Sequence, residues 1–427
     1  MRATSVPPRA ADSTQDREGE NADDRPRMKT ASAALMPEEL YAAVRRLNGE
    51  FKARALSAES ACTVPVENVE ALRRLGFYKL VQPRAFGGYE ADFDLLVDLN
   101  IEIAKACAST AWVCGLLAAH QWMVASFPAE AQHDVWGSNP DATVCGSYAP
   151  AAKAVPVPGG YTLAGRWSFA SGCDNAQWAV CAALLPPQAD GGAPMPAFCL
   201  VPTKDYAIDD TWHVIGLAGT GSKTLVLDGA FVPAHRVLTF AAATSGRTPG
   251  AALYADNPTF AVPMLCNVPS ILASVAVGSA FGALDDYLAA TSRRVTRGAV
   301  AGASNRMAEF ATVQLRVADA AAAADAAREI LLRDLRARAQ TVRAGQAVTV
   351  EDRILSRRGQ AFAVALAIRA TEALNASTGG LGLDLTNPVQ RAWRDANAVG
   401  RHISMNWDAV GTMYGQMALG LEPKGQY

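Results

Sequence analysis

The order of its segments predicts an α+β chain in three successive parts: a helical domain over 37–140, a β module over 141–240 and a helical bundle over 241–427. Three observations carry this reading. From Pro37 to Asn139 apolar residues recur at helical spacing, as at Leu40, Val44 and Leu47. From Asp141 to Phe240 short apolar runs about ten residues apart are bounded by Gly, Pro and Asp, the mark of a small antiparallel β-barrel or sandwich. From Pro263 to Gly420 the spacing is helical again, in long segments.

In the first part, Val69, Leu72 and Leu75 mark a second helix that Gly76 closes. After the turn Phe86-Gly87-Gly88-Tyr89, helices are predicted over Phe93–Ala108 and Ser109–Phe127, the latter capped by Ser109, with a short one after Pro128. Strands are predicted at Ala154–Val157, Tyr161–Phe169, Trp178–Leu185, Ala197–Val201 and Thr224–Val232. In the last part Val317–Arg338, with its run Ala320–Ala324, is a helix on propensity alone, and Gly302, Gly345 and Gly379-Gly380 mark breaks. Residues 1–36 are polar and lack an apolar signal core, so a disordered tail is expected there.

Half of the 427 residues are apolar, enough for a large core. The formal net charge of −2 gives no basic excess for nucleic acid or an anionic membrane. Eight scattered cysteines include no CxxC pair, which argues against structural zinc and a disulfide framework and for a reducing cytoplasm. Asn257–Leu284 carries no charge over 28 residues, but prolines interrupt its first half. The remainder, Ser270–Leu288, is rich in Ala, Gly and Ser and suits a helix packed inside a bundle rather than a membrane span.

Gly216–Thr224 reads GLAGTGSKT and nearly matches a phosphate-binding loop. Ser222 intrudes before Lys223, however, and the segment leads into a strand rather than a helix, so a β-module turn is expected. The five histidines form no HxxxH or HExxH pair, and no metal site is indicated. His120 ends an apolar helix and His402 sits in Gly400-Arg401-His402-Ile403-Ser404; on residues alone each could be a packed or a functional histidine.

The three-part order, with particular segments, resembles the acyl-CoA dehydrogenase fold: helical domain, antiparallel β-barrel and four-helix bundle, with flavin at their junction. Arg166-Trp167-Ser168-Phe169-Ala170-Ser171-Gly172-Cys173 is similar to that family's flavin-contacting strand, which assigns Trp167, Phe169, Ala170 and Ser171 to the cofactor. By the same resemblance Arg294, before Arg297-Gly298, and Gln314 reach a neighbouring subunit's flavin. Ser377, Gly379 and Gly380 lie at the family's glycine turn beside the bound cofactor.

True dehydrogenases carry a Glu base eight residues after the Asp that matches Asp395; here that position is Ile403, with His402 beside it. His402, Asn406-Trp407-Asp408, Gly420-Leu421-Glu422-Pro423, Ser109-Thr110-Ala111-Trp112 and Asp210-Thr211-Trp212-His213 instead resemble the flavin-dependent monooxygenases on this fold, the oxygenase components of 4-hydroxyphenylacetate and secosteroid phenol hydroxylases. That resemblance implies a cytoplasmic homotetramer, fed with reduced FMN or FAD by a separate reductase, that uses O2 to hydroxylate a small phenolic or indolic substrate through a flavin hydroperoxide. Ser171 would hold the flavin ring nitrogen. His120 and Ser147 would hold the substrate hydroxyl, Trp112 would line the substrate site, and His402 would serve as base or donor. A nitrogen- or sulfur-oxygenating enzyme of the same fold, or a dehydrogenase-like flavoprotein, is the alternative.

Overall fold

A computed structural model describes residues 37–187, 192–296 and 305–427. The expected tail over 1–36 and the positions Arg297 and Gly298 lie outside the described residues. Helices α1 (Pro37–Ala61), α2 (Val66–Arg74), α3 (Phe93–Ala106), α4 (Ala108–Ala125) and α5 (Ala129–Trp136) form the first part. Glu38 and Glu39 in the first turn of α1 suit its positive end. Past α2 the chain turns at Gly76, whose φ of +78° is the left-handed conformation that ends helices. One expectation fails locally: the N-cap of α4 is Cys107, not Ser109, which lies within the first turn. With no side-chain cap, α4 is held by burial of nearly every residue.

The β part is two four-stranded sheets and not one closed barrel. One has the order β1 (Val144–Lys153), β4 (Trp178–Leu185), β5 (Met195–Pro202) and β8 (Val237–Thr239). The other runs β2 (Val155–Val157), β3 (Gly160–Ala170), β7 (Lys223–Pro233) and β6 (Ala207–Asp209). The pairing is antiparallel except between β1 and β4, which run parallel. The register of β3 on β7 breaks between Trp167 and Ala170, and this bulge swings Phe169 out of the sheet.

Two short helices, α6 (Phe240–Ser245) and α7 (Pro249–Leu253), lead to α8 (Met264–Thr291), α9 (Ala311–Arg343), α10 (Val350–Asn375), α11 (Pro388–Gly400) and α12 (Trp407–Ala418). Thr349 and Asp352 form a reciprocal cap at the start of α10, and Asn387 and Asn406 cap α11 and α12. Helix α8 is long and apolar enough to cross a bilayer, yet 94% of its most apolar window is buried inside the fold. Its glycines set it directly on α3. A Cβ at Gly278 would stand 2.4 Å from the Ile101 carbonyl oxygen, and one at Gly282 would stand 2.3 Å from that of Lys105. Only hydrogen fits in that seam, so the two backbones touch. Asp98 of α3 accepts from Arg328 Nε and Nη2 of α9 at 2.7 and 2.6 Å, and from Tyr41 of α1, which ties the first part to the bundle.

Candidate active site

Five elements converge on the bulge of β3. Phe169 has a φ of +64° and is 70% exposed. A non-glycine residue in that conformation, with a large ring left open, is local strain that the surrounding structure must over-determine. Two residues on, Ser171 is buried and its backbone bridges Gly146 of β1. Its Oγ accepts a hydrogen bond from Trp112 Nε1 of α4 at 2.9 Å. The same Oγ lies 2.7 Å from Ser222 Oγ, which lies 2.7 Å from Thr220 Oγ1. Thr220 Oγ1 donates to the Leu217 carbonyl at 2.9 Å.

The segment carrying these hydroxyls is pinned from the bundle. Asp395 of α11 accepts from the Leu217 amide at 2.6 Å, and burial pushes its carboxyl up to about 6. Trp212 donates from Nε1 to the same Leu217 carbonyl at 3.2 Å, and its ring meets Phe169 edge-on, 6.0 Å between centroids. The GLAGTGSKT segment is therefore a turn into β7, as the sequence indicates.

His402 packs its ring against Trp112, 6.0 Å between centroids. It is also the N-cap of a short turn: Nδ1 accepts from the Ser404 amide at 3.1 Å. A nitrogen that accepts carries no proton, so the neutral ring holds its hydrogen on Nε2. Burial, with the nearby Arg357 cation, lowers its pKa to about 4 and keeps it neutral. Arg357 is itself buried; Nη1 donates to Gln360 at 2.7 Å and Nη2 to the Ser404 carbonyl at 2.8 Å, while Nε has no partner.

His120 is arranged the other way. Its Nδ1 lies 2.7 Å from the Val144 carbonyl, an acceptor only, so Nδ1 holds the hydrogen and Nε2 keeps a lone pair. Burial lowers this imidazole too to about 4. The ring stands over Gly146, where a Cβ would be 3.3 Å from His120 Cε1 and 3.0 Å from Tyr148 Cε1. The Tyr148 hydroxyl beside it is buried with no partner.

Ser147 does not join His120. Residues 146 and 148 face His120, and strand alternation turns Ser147 to the opposite side, where its hydroxyl donates to the Ser168 carbonyl at 2.7 Å. The fold thus gives the two residues named for the substrate hydroxyl different partners, the Val144 and Ser168 carbonyls. Trp167 and Ala170 are fully buried; Trp167 Nε1 donates to the Ala182 carbonyl at 2.7 Å and serves the sheet core.

The remaining expected residues lie away from the β3 bulge contacts. Arg294 Nη1 donates to the Thr378 carbonyl at 2.6 Å and its guanidinium crowds Gly379, followed by Gly380. Ser377 Oγ donates within 2.8 Å of Tyr287 Oη. Gln314 is more exposed and donates to the Ala308 carbonyl at 3.0 Å. In the sequence Ser222 stands out as the residue that breaks the phosphate-loop match, whereas Thr220, Tyr148 and Arg357 do not stand out. Alternating hydroxyls at 220, 222 and 224 were a usable signal for Ser222 and Thr220; Arg357, one of several arginines in α10, gave none.

The residues present fit a reduced flavin. Ser171 has a spare lone pair in a dry niche, and Phe169 offers an uncovered aromatic face beside it. All eight cysteines are free, and among the described residues no cluster of His, Cys, Asp or Glu could hold a metal.

Comparison with known proteins places this geometry among relatives. Residues 37–138 match the family described as acyl-CoA dehydrogenase, N-terminal domain, and residues 270–407 match acyl-CoA dehydrogenase, C-terminal domain. The chain is 63% identical to the FADH2-dependent resorcinol hydroxylase, oxygenase component, of a Rhizobium species, over 88% of this chain and 93% of that protein. It is similar to the crystal structure of 3-HSA hydroxylase from Rhodococcus sp. RHA1, with a TM-score of 0.85, 36% identity and coverage of 91% and 98%. XiaF from Streptomyces in complex with FADH2 and glycerol is also similar, with a TM-score of 0.81, 28% identity and coverage of 91% and 97%.

Proposed function

Since the chain belongs to the flavin-dependent monooxygenase oxygenase components built from acyl-CoA dehydrogenase N- and C-terminal domains, we propose that it hydroxylates a small phenol of the resorcinol type, using O2 and FADH2 from a separate reductase. The observation that carries this reading is the opposed state of two neutral histidines: His120 offers a lone pair at Nε2, and His402 offers a hydrogen at Nε2.

A bound reduced flavin supplies two electrons to dioxygen, of which one oxygen atom goes to the aromatic ring and the other leaves as water. The chain's own residues do the rest. His120 Nε2 accepts a hydrogen bond from the phenol hydroxyl, which orients the ring and raises its electron density for attack by electrophilic oxygen. An imidazole with a pKa lowered to about 4 stays unprotonated through neutral pH, so this acceptor is permanently available. His402 Nε2–H donates to developing negative charge on oxygen, a donor role that its Nδ1 acceptance from the Ser404 amide supports. Trp112 fixes Ser171 from one side and meets the half-buried His402 ring on the other, and burial of Trp112 and Ser171 limits water. The missing Glu at Ile403 removes the group that would take an α-proton from a thioester.

Arg294 and Gln314 reach the flavin of an adjoining copy in a homotetramer, and Ser377, Gly379 and Gly380 form the turn beside the bound cofactor. A cytoplasmic setting suits eight free cysteines. The testing experiment supplies FADH2 and 18O2 with resorcinol, phenol or indole. Expected is one 18O atom in a hydroxylated resorcinol or phenol; hydrogen peroxide alone, with every ring unchanged, would refute the assignment.

A further inference from the structure

We propose that Thr220 and Ser222 are positioning residues that polarise a buried hydroxyl chain so that Ser171 can only accept, making it selective for the reduced over the oxidised flavin ring. This rests on the reading that Ser171 faces the flavin ring nitrogen.

Hydrogen counting gives the polarity. A hydroxyl has one hydrogen to donate and two lone pairs. The Leu217 carbonyl can only accept, so at 2.9 Å the Thr220 hydroxyl spends its hydrogen there. Thr220 Oγ1 must then accept from Ser222, at 2.7 Å. Ser222 Oγ in turn accepts from Ser171, also at 2.7 Å. Ser171 has now spent its hydrogen, and one of its lone pairs takes the Trp112 indole N–H. What is left is one lone pair. Trp112, Ser171, Thr220 and Ser222 are all buried, with exposures of 7%, 5%, 2% and 4%, so solvent does not scramble the order.

The far end is locked as well. Leu217 sits at a φ of +55°, a conformation a leucine holds only under constraint, and its amide is committed to Asp395. The carbonyl that sets the direction of the chain is thereby fixed from α11, outside the β module.

The chemical consequence is discrimination. The central ring nitrogen of a flavin carries a hydrogen when reduced and a bare lone pair when oxidised. A Ser171 restricted to accepting complements the first and opposes the second. An oxygenase that receives reduced flavin and must release the oxidised product gains from that asymmetry.

The test measures dissociation constants of FADH2 (anaerobic) and FAD by fluorescence anisotropy in the full-length protein, for wild type, Ser222→Ala, Ser222→Thr and Thr220→Val. Wild type should prefer FADH2. Ser222→Ala frees the Ser171 hydrogen to donate to oxidised flavin, so the preference should fall about 3–10-fold, the worth of one hydrogen bond, chiefly through tighter FAD binding. Thr220→Val should act the same way from further off, and Ser222→Thr should restore the wild-type ratio. An unchanged ratio in both Ser222→Ala and Thr220→Val, or a rise in it, overturns the polarity argument while leaving the hydroxylase assignment standing. A wild-type protein that binds neither form defeats both.

Discussion

Arg357 donates to the carbonyl of Ser404 at 2.8 Å, and the amide of that same Ser404 donates to Nδ1 of His402. A buried cation with no carboxylate partner thus reaches the candidate donor histidine through one residue. The cation helps to hold the imidazole neutral. Arg357→Met should raise the His402 titration midpoint above about 4, read from its imidazole resonances by NMR. A midpoint that stays put would show that the guanidinium does not act on the ring.

For His402 itself, His402→Asn retains a side-chain acceptor for the Ser404 amide and removes the Nε2 hydrogen. Cap exchange between good capping residues costs only a few tenths of a kcal/mol, so the melting temperature should stay within about 2 °C. Hydroxylated product per FADH2 consumed should fall about 10²-fold or more, as for loss of a positioned acid. Coupling equal to wild type would return His402 to a packing role.

Acid stability tests His120. Its pKa is about 4 folded and about 6.5 unfolded, so the unfolded chain binds the extra proton between those values. Stability is therefore full above pH 6.5 and lost as pH falls toward 4, by about 3 kcal/mol from this one residue. In urea titrations across that range, His120→Gln should show a flatter decline than wild type. Parallel slopes would mean that His120 is charged in the folded state.

Asp395 runs in the opposite direction. With a folded pKa of about 6 against 3.8, the folded chain holds the proton more tightly, so its contribution is full below pH 3.8 and is lost as pH rises through 6. Asp395→Asn should make the decline between pH 6 and 4 steeper by about 3 kcal/mol, because the offsetting gain is gone. A shallower decline would contradict the burial effect.

Gly146 sets the room beneath His120. In Gly146→Ala the new methyl would press on Tyr148 and His120 at 3.0 and 3.3 Å. Phenol KM should rise on the order of tenfold through displacement of the acceptor nitrogen, with FADH2 affinity unchanged. If flavin binding weakens equally, Gly146 serves the cofactor instead.

Much of this fold was legible because periodicity reports which faces are buried. Trp178–Leu185 matches β4 at both ends, and Val317–Arg338 lies wholly within α9. Strand β1 escaped notice because its outer half, Ala149–Lys153, is largely exposed and has no apolar alternation. The two sheets could not be told from a closed barrel, since closure depends on pairings distant in sequence that alternation does not encode. Ser171, Trp112 and His402, singled out in the sequence, are in contact in the fold. Ser147 lies on the other side of β1 from the Gly146 and Tyr148 positions that meet His120, because strand period is two. Hydrogen-bond direction was not readable at all; it appears only once the fold names each partner.

The glycine seam between α3 and α8 carries a consequence for traffic. Two helices whose backbones touch at Gly278 and Gly282 have no lubricating layer of side chains, so they can neither slide nor hinge apart without opening a void along their length. The α3–α8 pair is therefore rigid, and any opening of the fold falls to its short loops. The exposed apolar residues Ile215 and Ile403, on the loops before Leu217 and after His402, mark where such an opening would form. Hydrogen exchange should then report FADH2 arrival in segments 213–217 and 401–406 while amides of Ile101–Lys105 stay equally protected throughout. Loss of protection in α3 on binding would instead mean that the helix pair itself swings.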